Sequence, residues 1–256
     1  MGMTKIITYK TQNYSMFKKI IGNREISESN IKNIVRNIKQ HGLKPTIVIV
    51  NEKMEVIDGQ HRVEALKRLN LPVLYQIHEG LTLKDCVAMN TSGRLWSCKD
   101  YVDSYAEMGN QDFIDLKWYA RMFPEFSYNN IAAILCNKTT ARVGNLIKQG
   151  KLVLSYKGKE AEDRLEYINN ICKSLKNFTG RRECVLVVIS RVMDLSSIDK
   201  KRLLEQMQKY GHLLVDVVDN KSCLSKIEEV YNYKKGTKVR FISQYYEIYE
   251  DSNIFN

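Results

Sequence analysis

The sequence predicts an α+β protein in which a small sheet is built first and helices follow. Two observations carry that expectation. Runs of β-branched residues, Thr46–Val50, Glu55–Ile57 and Val73–Ile77, all fall early in the chain. From Thr82 onward the strand signal mostly disappears and helix caps with helical spacing replace it. At 256 residues there is room for one large core or two smaller ones. A hydrophobic fraction of 44% and 15 Tyr argue for a folded chain.

In order, Lys5–Tyr9 reads as a first strand and Tyr14–Ile21 as a second short extended piece. Ser27 is suited to cap a helix from Glu28 to His41, where Ile31, Ile34, Val35 and Ile38 keep helical spacing and Gly42 stops it. Pro45 opens the strand Thr46–Val50, and Asn51-Glu52-Lys53 turns it into Glu55–Ile57. A helix from Gln60 buries Val63, Leu66 and Leu69, Pro72 stands beyond its end, and Val73–Ile77 adds a strand. Thr82 with Asp85, and Ser97 with Asp100, fit the capping-box spacing and predict helices over 83–90 and 98–108. Further helices are expected over Asp112–Met122, over Glu160–Phe178 with an end near Gly180, over Asp199–Tyr210 and over Ser222–Tyr233. The β-branched run from Arg181 to Ser190 suits a buried strand or a buried helix, and its length and neighbours favour the helix. The tail from Lys238 carries Phe241, Tyr245, Tyr246 and Tyr249 before turning acidic.

The formal charge of +11 favours polyanionic partners, nucleic acid first and acidic membrane surfaces second. The six cysteines form no C-x-x-C pair and the four histidines are not spaced to join them, so no zinc site is expected. Scattered cysteines and the lack of a signal-peptide pattern read as reduced thiols in a cytoplasm. The longest apolar run, Cys184–Ile189, is too short to span a membrane, so no membrane partner is expected.

The stretch Val56–Leu66 carries the chemistry. It is a short apolar strand, an Asp58-Gly59 break and a polar turn entering a helix. Gly59 permits close backbone approach and dihedrals closed to other residues. Gln60, His61 and Arg62 fall in the first helical turn, where backbone N–H groups and the helix dipole favour an anion. Arg62 adds a planar fork of donors matched to phosphate or carboxylate. The same residues also suit a plain strand–helix turn with a surface Arg.

A second constellation spans Ser127–Lys151. Tyr128–Cys136 reads as a short helix, Asn137-Lys138 as a turn, and Thr139 as the cap of a second helix with Val143, Leu146 and Ile147 inward. That outline fits a helix-turn-helix, with Thr139, Thr140, Arg142, Asn145, Lys148 and Lys151 as candidate DNA contacts. It fits a helical hairpin of a bundle equally well, and its turn has no glycine.

With Gln40–Val50 and Ile57–Ala65 both in view, residues 1–95 resemble a ParB/sulfiredoxin-fold domain. In that family a Gly-ended helix and a Pro-led strand precede a Gly-x-x-Arg turn that binds nucleotide phosphates, and Gly59 and Arg62 match the turn. Gly59-Gln60-His61-Arg62 is similar to the sulfiredoxin form, but Gln60 stands where the sulfiredoxin catalytic Cys belongs, which excludes that reduction. The counterpart of the family's acidic-Asn-x-x-Arg box is Met89-Asn90 with Arg94. Asn90 is carried over as a phosphate contact or, through Mg, a metal contact. Met89 takes the acidic position and Arg94 comes one residue late, which favours binding over hydrolysis. Gly22-Asn23-Arg24, Trp96 and Val230-Tyr231-Asn232 are similar to ParB-like proteins of bacteriophages and mobile elements, and Arg24 becomes a second candidate phosphate contact.

The resemblance implies a nucleotide-binding domain over 1–95, a helical domain with the candidate helix-turn-helix over 96–155 and a helical domain over 156–256. It implies a nucleoside triphosphate, CTP or ATP, with Mg, and DNA as partner, in a bacterial or phage-infected cytoplasm. A homodimer is left open. The leading reading is a nucleotide-responsive DNA-binding protein. The alternatives are a ParB-fold enzyme (NTPase, phosphotransferase or nuclease) using Asp58, His61 or Glu64 as acid or base, and a non-catalytic interaction protein.

Overall fold

The computed structural model describes residues 7–89, 96–175, 182–215 and 217–249. The chain divides into two compact units, 1–110 and 111–256. The α+β class is as the sequence predicts, with every described strand in the first unit and helices throughout the second.

The first unit is built on β1 (Thr8–Thr11), β2 (Lys18–Lys19), β3 (Ile47–Val50), β4 (Glu55–Asp58) and β5 (Val73–Ile77). They form one mixed sheet in the order β1-β5-β3-β4-β2. β3 runs parallel to β5 and antiparallel to β4, while β1 is antiparallel to β5 and β2 parallel to β4. The hairpin between β3 and β4 is closed by Asn51, whose Oδ1 accepts from the N–H groups of Lys53 and Glu55 at 3.1 and 2.9 Å. This buried amide does what a turn residue does, with Met54 taking the left-handed conformation at φ 64°.

Both faces of the sheet are covered. Helices α1 (Glu28–His41) and α2 (Gln60–Arg68) supply Ile38, Val63 and Leu66 to a core with Val48, Val50, Val56, Val73 and Tyr75. On the other face α3 (Leu83–Met89) sets Leu83 and Cys86 against Ile20, Ile49 and Ile57. Val56 and Ile57 are neighbours in β4 and enter opposite cores, as the two-residue period of a strand requires. Ser27 caps α1, and Arg68 of α2 grips Glu28 with two bonds of 2.7 and 2.9 Å. Helix α4 (Cys98–Glu107) begins with the expected Ser97–Asp100 capping box, and Thr82 donates to Asp85 ahead of α3.

Some boundaries differ from expectation. The described first strand, Thr8–Thr11, runs past the expected end at Tyr9 because its pairing with β5 continues to Thr11, while Lys5 and Ile6 of the expected strand lie outside the described residues. Tyr14–Ile21 gives a 3-10 turn at Tyr14–Met16 and only the two residues of β2.

The second unit contains α5 (Gln111–Met122), α6 (Tyr128–Cys136), α7 (Thr140–Lys148), α8 (Gly158–Ser174), α9 (Arg182–Val192), α10 (Lys200–Tyr210), α11 (Asn220–Asn232) and α12 (Ile242–Tyr249). Helix α6 is central, with Ile131–Cys136 buried on every side and α5, α7, α8 and α9 around it. The β-branched run does form a helix, α9, in which Val185–Ser190 are buried. Helix α8 ends at Ser174, and the expected end near Phe178 and Gly180 lies outside the described residues. The aromatic tail, given no element from sequence, forms α12 with Tyr245 buried. No described helix is long and apolar enough to cross a membrane. All six cysteines are free, and burial pushes the Cys86 and Cys136 thiols up to about 11.

A buried polar knot holds the second unit at Asn137, the C-cap of α6, which is left-handed at φ 51°. Arg164 donates to Asn137 Oδ1 at 2.8 Å, to Ile134 O at 3.2 Å, to Ser190 O and to both oxygens of Asp194. Arg191, 1% exposed, sends two further bonds to the Asn137 carbonyl. Asp194 also accepts from Asn137 and from the Tyr156 hydroxyl. Burial alone would raise the Asp194 carboxyl, but the Arg164 bonds and charge prevail and hold it below the usual carboxylate value.

Removing Arg164 strands the carboxylate, so Arg164→Ala is expected to cost about 2–3 kcal/mol. That is below the range for a fully buried pair because the Asp194 side chain is 22% exposed. Denaturant melts check it. A carboxyl lowered in the folded state stabilises above its unfolded pKa, and that stability is lost as pH falls through the folded value. Asp194→Asn should therefore be less stable near neutrality and should flatten the acid limb of a stability–pH curve.

Candidate functional site

In the first unit the predicted turn lies at a pocket of about 170 Å³ lined by Asn23, Arg24, Ile34, Ile57, Asp58, Gly59, Gln60, His61 and Arg62. Gly59 caps α2 in a left-handed conformation, φ 99° and ψ 17°. A Cβ there would stand 3.1 Å from Val48 Cγ2 and 3.4 Å from Arg62 Nη1. The tight fit lets β4 hand over directly to α2, so that the first turn of α2 lines the pocket. Of its N–H groups, that of Arg62 donates to Gly59 O at 2.9 Å, as does the Val63 N–H that follows.

The segment after Gly22 forms the opposite wall. Gln60 Nε2 donates to Arg24 O at 3.1 Å, and the Ser27 N–H donates to His61 Nε2 at 2.9 Å. His61 Nε2 therefore carries no proton, and the imidazole helps fix the start of α1 as well as lining the pocket. Gly22 is needed for packing: a Cβ would meet Leu83, Ser104 and Met108 at 2.9–3.1 Å. Asn23 is only 4% exposed and its Oδ1 has no hydrogen-bond partner. An acceptor buried without a donor costs free energy, which a ligand donor or a water would recover.

Arg62 Nη1 donates to Ile47 O at 2.6 Å, which fixes the guanidinium between two pockets. The second, of about 470 Å³, is lined by Ile34, Asn37, Ile38, His41, Gly42, Leu43, Lys44, Thr46 and Arg62. Of the candidate acid–base groups, Asp58 and His61 line the smaller pocket. Glu64 does not, and pairs with Arg68 at 3.5 Å. Asn90 and Arg94 lie outside the described residues. No group of three or more His, Cys, Asp or Glu among the described residues could hold a metal.

Asn23 has no role in the sequence pattern beyond its place in Gly22-Asn23-Arg24, yet it is a wall of the pocket. A signal was present: a short polar residue directly after a glycine that must approach two helices closely.

In the second unit, α6 and α7 are joined by three residues, 137–139. Thr139 is spent as the cap of α7, its hydroxyl accepting from the Arg142 N–H at 3.3 Å. Val143 and Ile147 are buried, while Arg142, Asn145, Lys148 and Lys151 are exposed and Thr140 is half-buried. Residues 142, 145 and 148 are three apart and form one outward stripe.

Comparison with known proteins adds little. No family model matches the chain, and no curated protein matches it. Among solved structures it is similar to one described as the C2221 form of a Pnob8-like ParB-N domain. The match has 10% identity and a TM-score of 0.33, and covers 90% of this chain and 100% of that one. The site therefore rests on its own geometry.

Gly59→Ala forces a side chain into a left-handed backbone and against Val48. It is expected to destabilise by about 1–2 kcal/mol from the backbone alone, read as a lowered midpoint in thermal unfolding. A tolerated substitution at full stability would show that the turn is not held as described.

Proposed function

We propose that the first unit binds a nucleoside triphosphate and the second unit contacts DNA. The observation that carries the nucleotide reading is the smaller pocket: a helix start at a left-handed glycine, with Arg24 and Arg62 in the walls. Backbone N–H groups and guanidinium forks suit phosphate oxygens. A volume of about 170 Å³ suits phosphates and not a whole nucleotide. The nucleoside would then extend past Arg62 into the larger pocket, where Ile34, Ile38 and Leu43 offer apolar surface and Asn37 and Thr46 polar groups. The resemblance of Gly59-Gln60-His61-Arg62 to the ParB and sulfiredoxin turns supports the same reading.

Binding is favoured over hydrolysis. His61 Nε2 is engaged by the Ser27 N–H and Glu64 by Arg68, which leaves Asp58 as the acidic group lining the pocket. Mg, if carried by the triphosphate, would bring a charge that Asp58 and the Asn23 oxygen are chemically suited to meet.

The expected outcome is that CTP or ATP with Mg raises the unfolding temperature of the wild-type chain. At a hundred times its Kd a ligand stabilises by about 2.7 kcal/mol. Arg62→Ala should abolish the shift while Glu64→Gln leaves it. If no nucleotide shifts the wild type, the reading fails.

For DNA, the exposed stripe of α7 with Lys151 supports phosphate contact. The expected outcome for Arg142→Ala with Lys148→Ala is a shallower salt dependence of duplex binding, by about 0.9 in log–log slope for each phosphate no longer neutralised. Anisotropy titrations over a range of salt measure it, and an unchanged slope rejects α7 as the DNA-binding element.

A further inference from the structure

The second unit carries another concave basic surface, remote in sequence from α7. After α11 the chain reads Tyr233-Lys234-Lys235-Gly236-Thr237-Lys238-Val239-Arg240, four cations in seven residues from 234 to 240 with no acid among them. The loop is clamped at its base. Asn232 donates through Nδ2 to Glu228 O and Val239 O at 2.9 and 2.8 Å and accepts from the Val239 N–H at 2.7 Å. Buried Glu228 accepts from the N–H groups of Phe241 and Ile242 and from Arg240. Lys234 sits in the left-handed region at φ 54°.

Two acids face the loop. Glu228 is consumed by those three donors, and Glu229 pairs with Lys226 at 2.9 Å. Lys234, Lys235 and Lys238 make no salt bridge among the described residues. Two of the ammonium groups lie over aromatic rings instead: Lys234 Nζ over Tyr210 and Tyr233, and Lys235 Nζ over Tyr231, at 5.0–5.7 Å. Arg202 ties the start of the loop down by donating to the Tyr231 and Tyr233 carbonyls. Between loop and helix is a pocket of about 520 Å³, with Tyr233, Lys234, Lys235, Lys238 and Arg240 in its lining.

We propose that this loop and pocket bind single-stranded nucleic acid, the lysines taking backbone phosphates and the pocket receiving an unpaired base beside Tyr233. Three features select that partner. A fixed row of unneutralised lysines fits a polyanion. Exposed tyrosine interleaved with cations is the chemistry of strand binding without base readout. A concavity of nucleotide size admits a base that a duplex would keep stacked. An anionic membrane fits less well, since residues 233–240 include no Leu, Ile, Phe or Trp to enter the interface. The proposal is independent of the α7 reading.

The test is fluorescence anisotropy of the full chain with labelled oligothymidylate over a range of salt. Lys234, Lys235 and Lys238 are all changed to Gln, with Arg240 kept because it pairs with buried Glu228. The variant should weaken binding at least tenfold at low salt and lower the log–log salt slope by about 2, near 0.7 for each phosphate contact. The matching triple Lys→Arg variant should bind like wild type, which separates loss of charge from loss of fold. An unchanged slope in the Gln variant overturns the proposal. An equal loss on duplex DNA overturns the assignment to an unpaired strand. A wild type that binds phosphatidylserine vesicles and not the oligonucleotide overturns it as well. Loss of duplex binding in the α7 variant, with oligothymidylate binding intact, would separate the two surfaces.

Discussion

The left-handed turn at Gly59 is the constraint on which the first unit depends. With φ at 99° the chain leaves β4 and enters α2 with no intervening loop. The missing Cβ lets this corner sit against Val48, which is fully buried at the centre of the core. One backbone conformation thereby closes the sheet and brings the start of α2 to the pocket. The bonds from Gln60 to Arg24 O and from Ser27 to His61 then follow, because the segment before α1 can lie along that first turn. Arg62 is steadied in the same way, by the Ile47 carbonyl of the adjacent strand. A substitution at position 59 would act on packing and on the pocket together.

The second unit meets a similar need with different chemistry. Its tight turn between α6 and α7 also requires a left-handed residue, and Asn137 supplies it. Asn tolerates that conformation better than most side chains. Unlike Gly, it brings an amide, which accepts from Arg164 and donates to Asp194 and Tyr156. The absence of glycine from this turn therefore reflects a residue that serves as both bend and hub. Burying two guanidiniums is costly unless their donors are met, and here carbonyls of α6 and α9, a carboxylate and two tyrosines meet them. That the arrangement fixes the start of α7 gives the knot a bearing on whatever α7 touches.

Much of this architecture was legible because the signals were local. Ser27, Ser97 and Thr139 each cap the helix that their spacing announces, since a cap involves residues only three apart. The Gly59 turn was legible for the same reason. Features that depend on distant partners were not. The register of β1 is decided by β5, more than sixty residues away, so its end at Thr11 could not be read from its own isoleucines. Arg164 and Arg191 look like ordinary surface cations in a helical pattern, and only the meeting of α6, α8 and α9 buries them. Asn23 has only a weak local signal, its place after Gly22, and its role in the pocket depends on the burial that leaves its oxygen without a donor.

These burials alter how the formal charge should be weighed. The +11 excess counts Arg164 and Arg191 equally with surface lysines, yet both are turned inward and tied to carbonyls. Arg68 is likewise matched by Glu28 and Glu64. Arginine, with its planar fork, does internal scaffolding here, and lysine supplies the exposed cations of the 234–238 loop. The attraction for a polyanion is therefore a property of particular surfaces. It rests on where lysines stand outside any salt bridge, and the total charge of the chain is a poor guide to where a nucleic acid would lie.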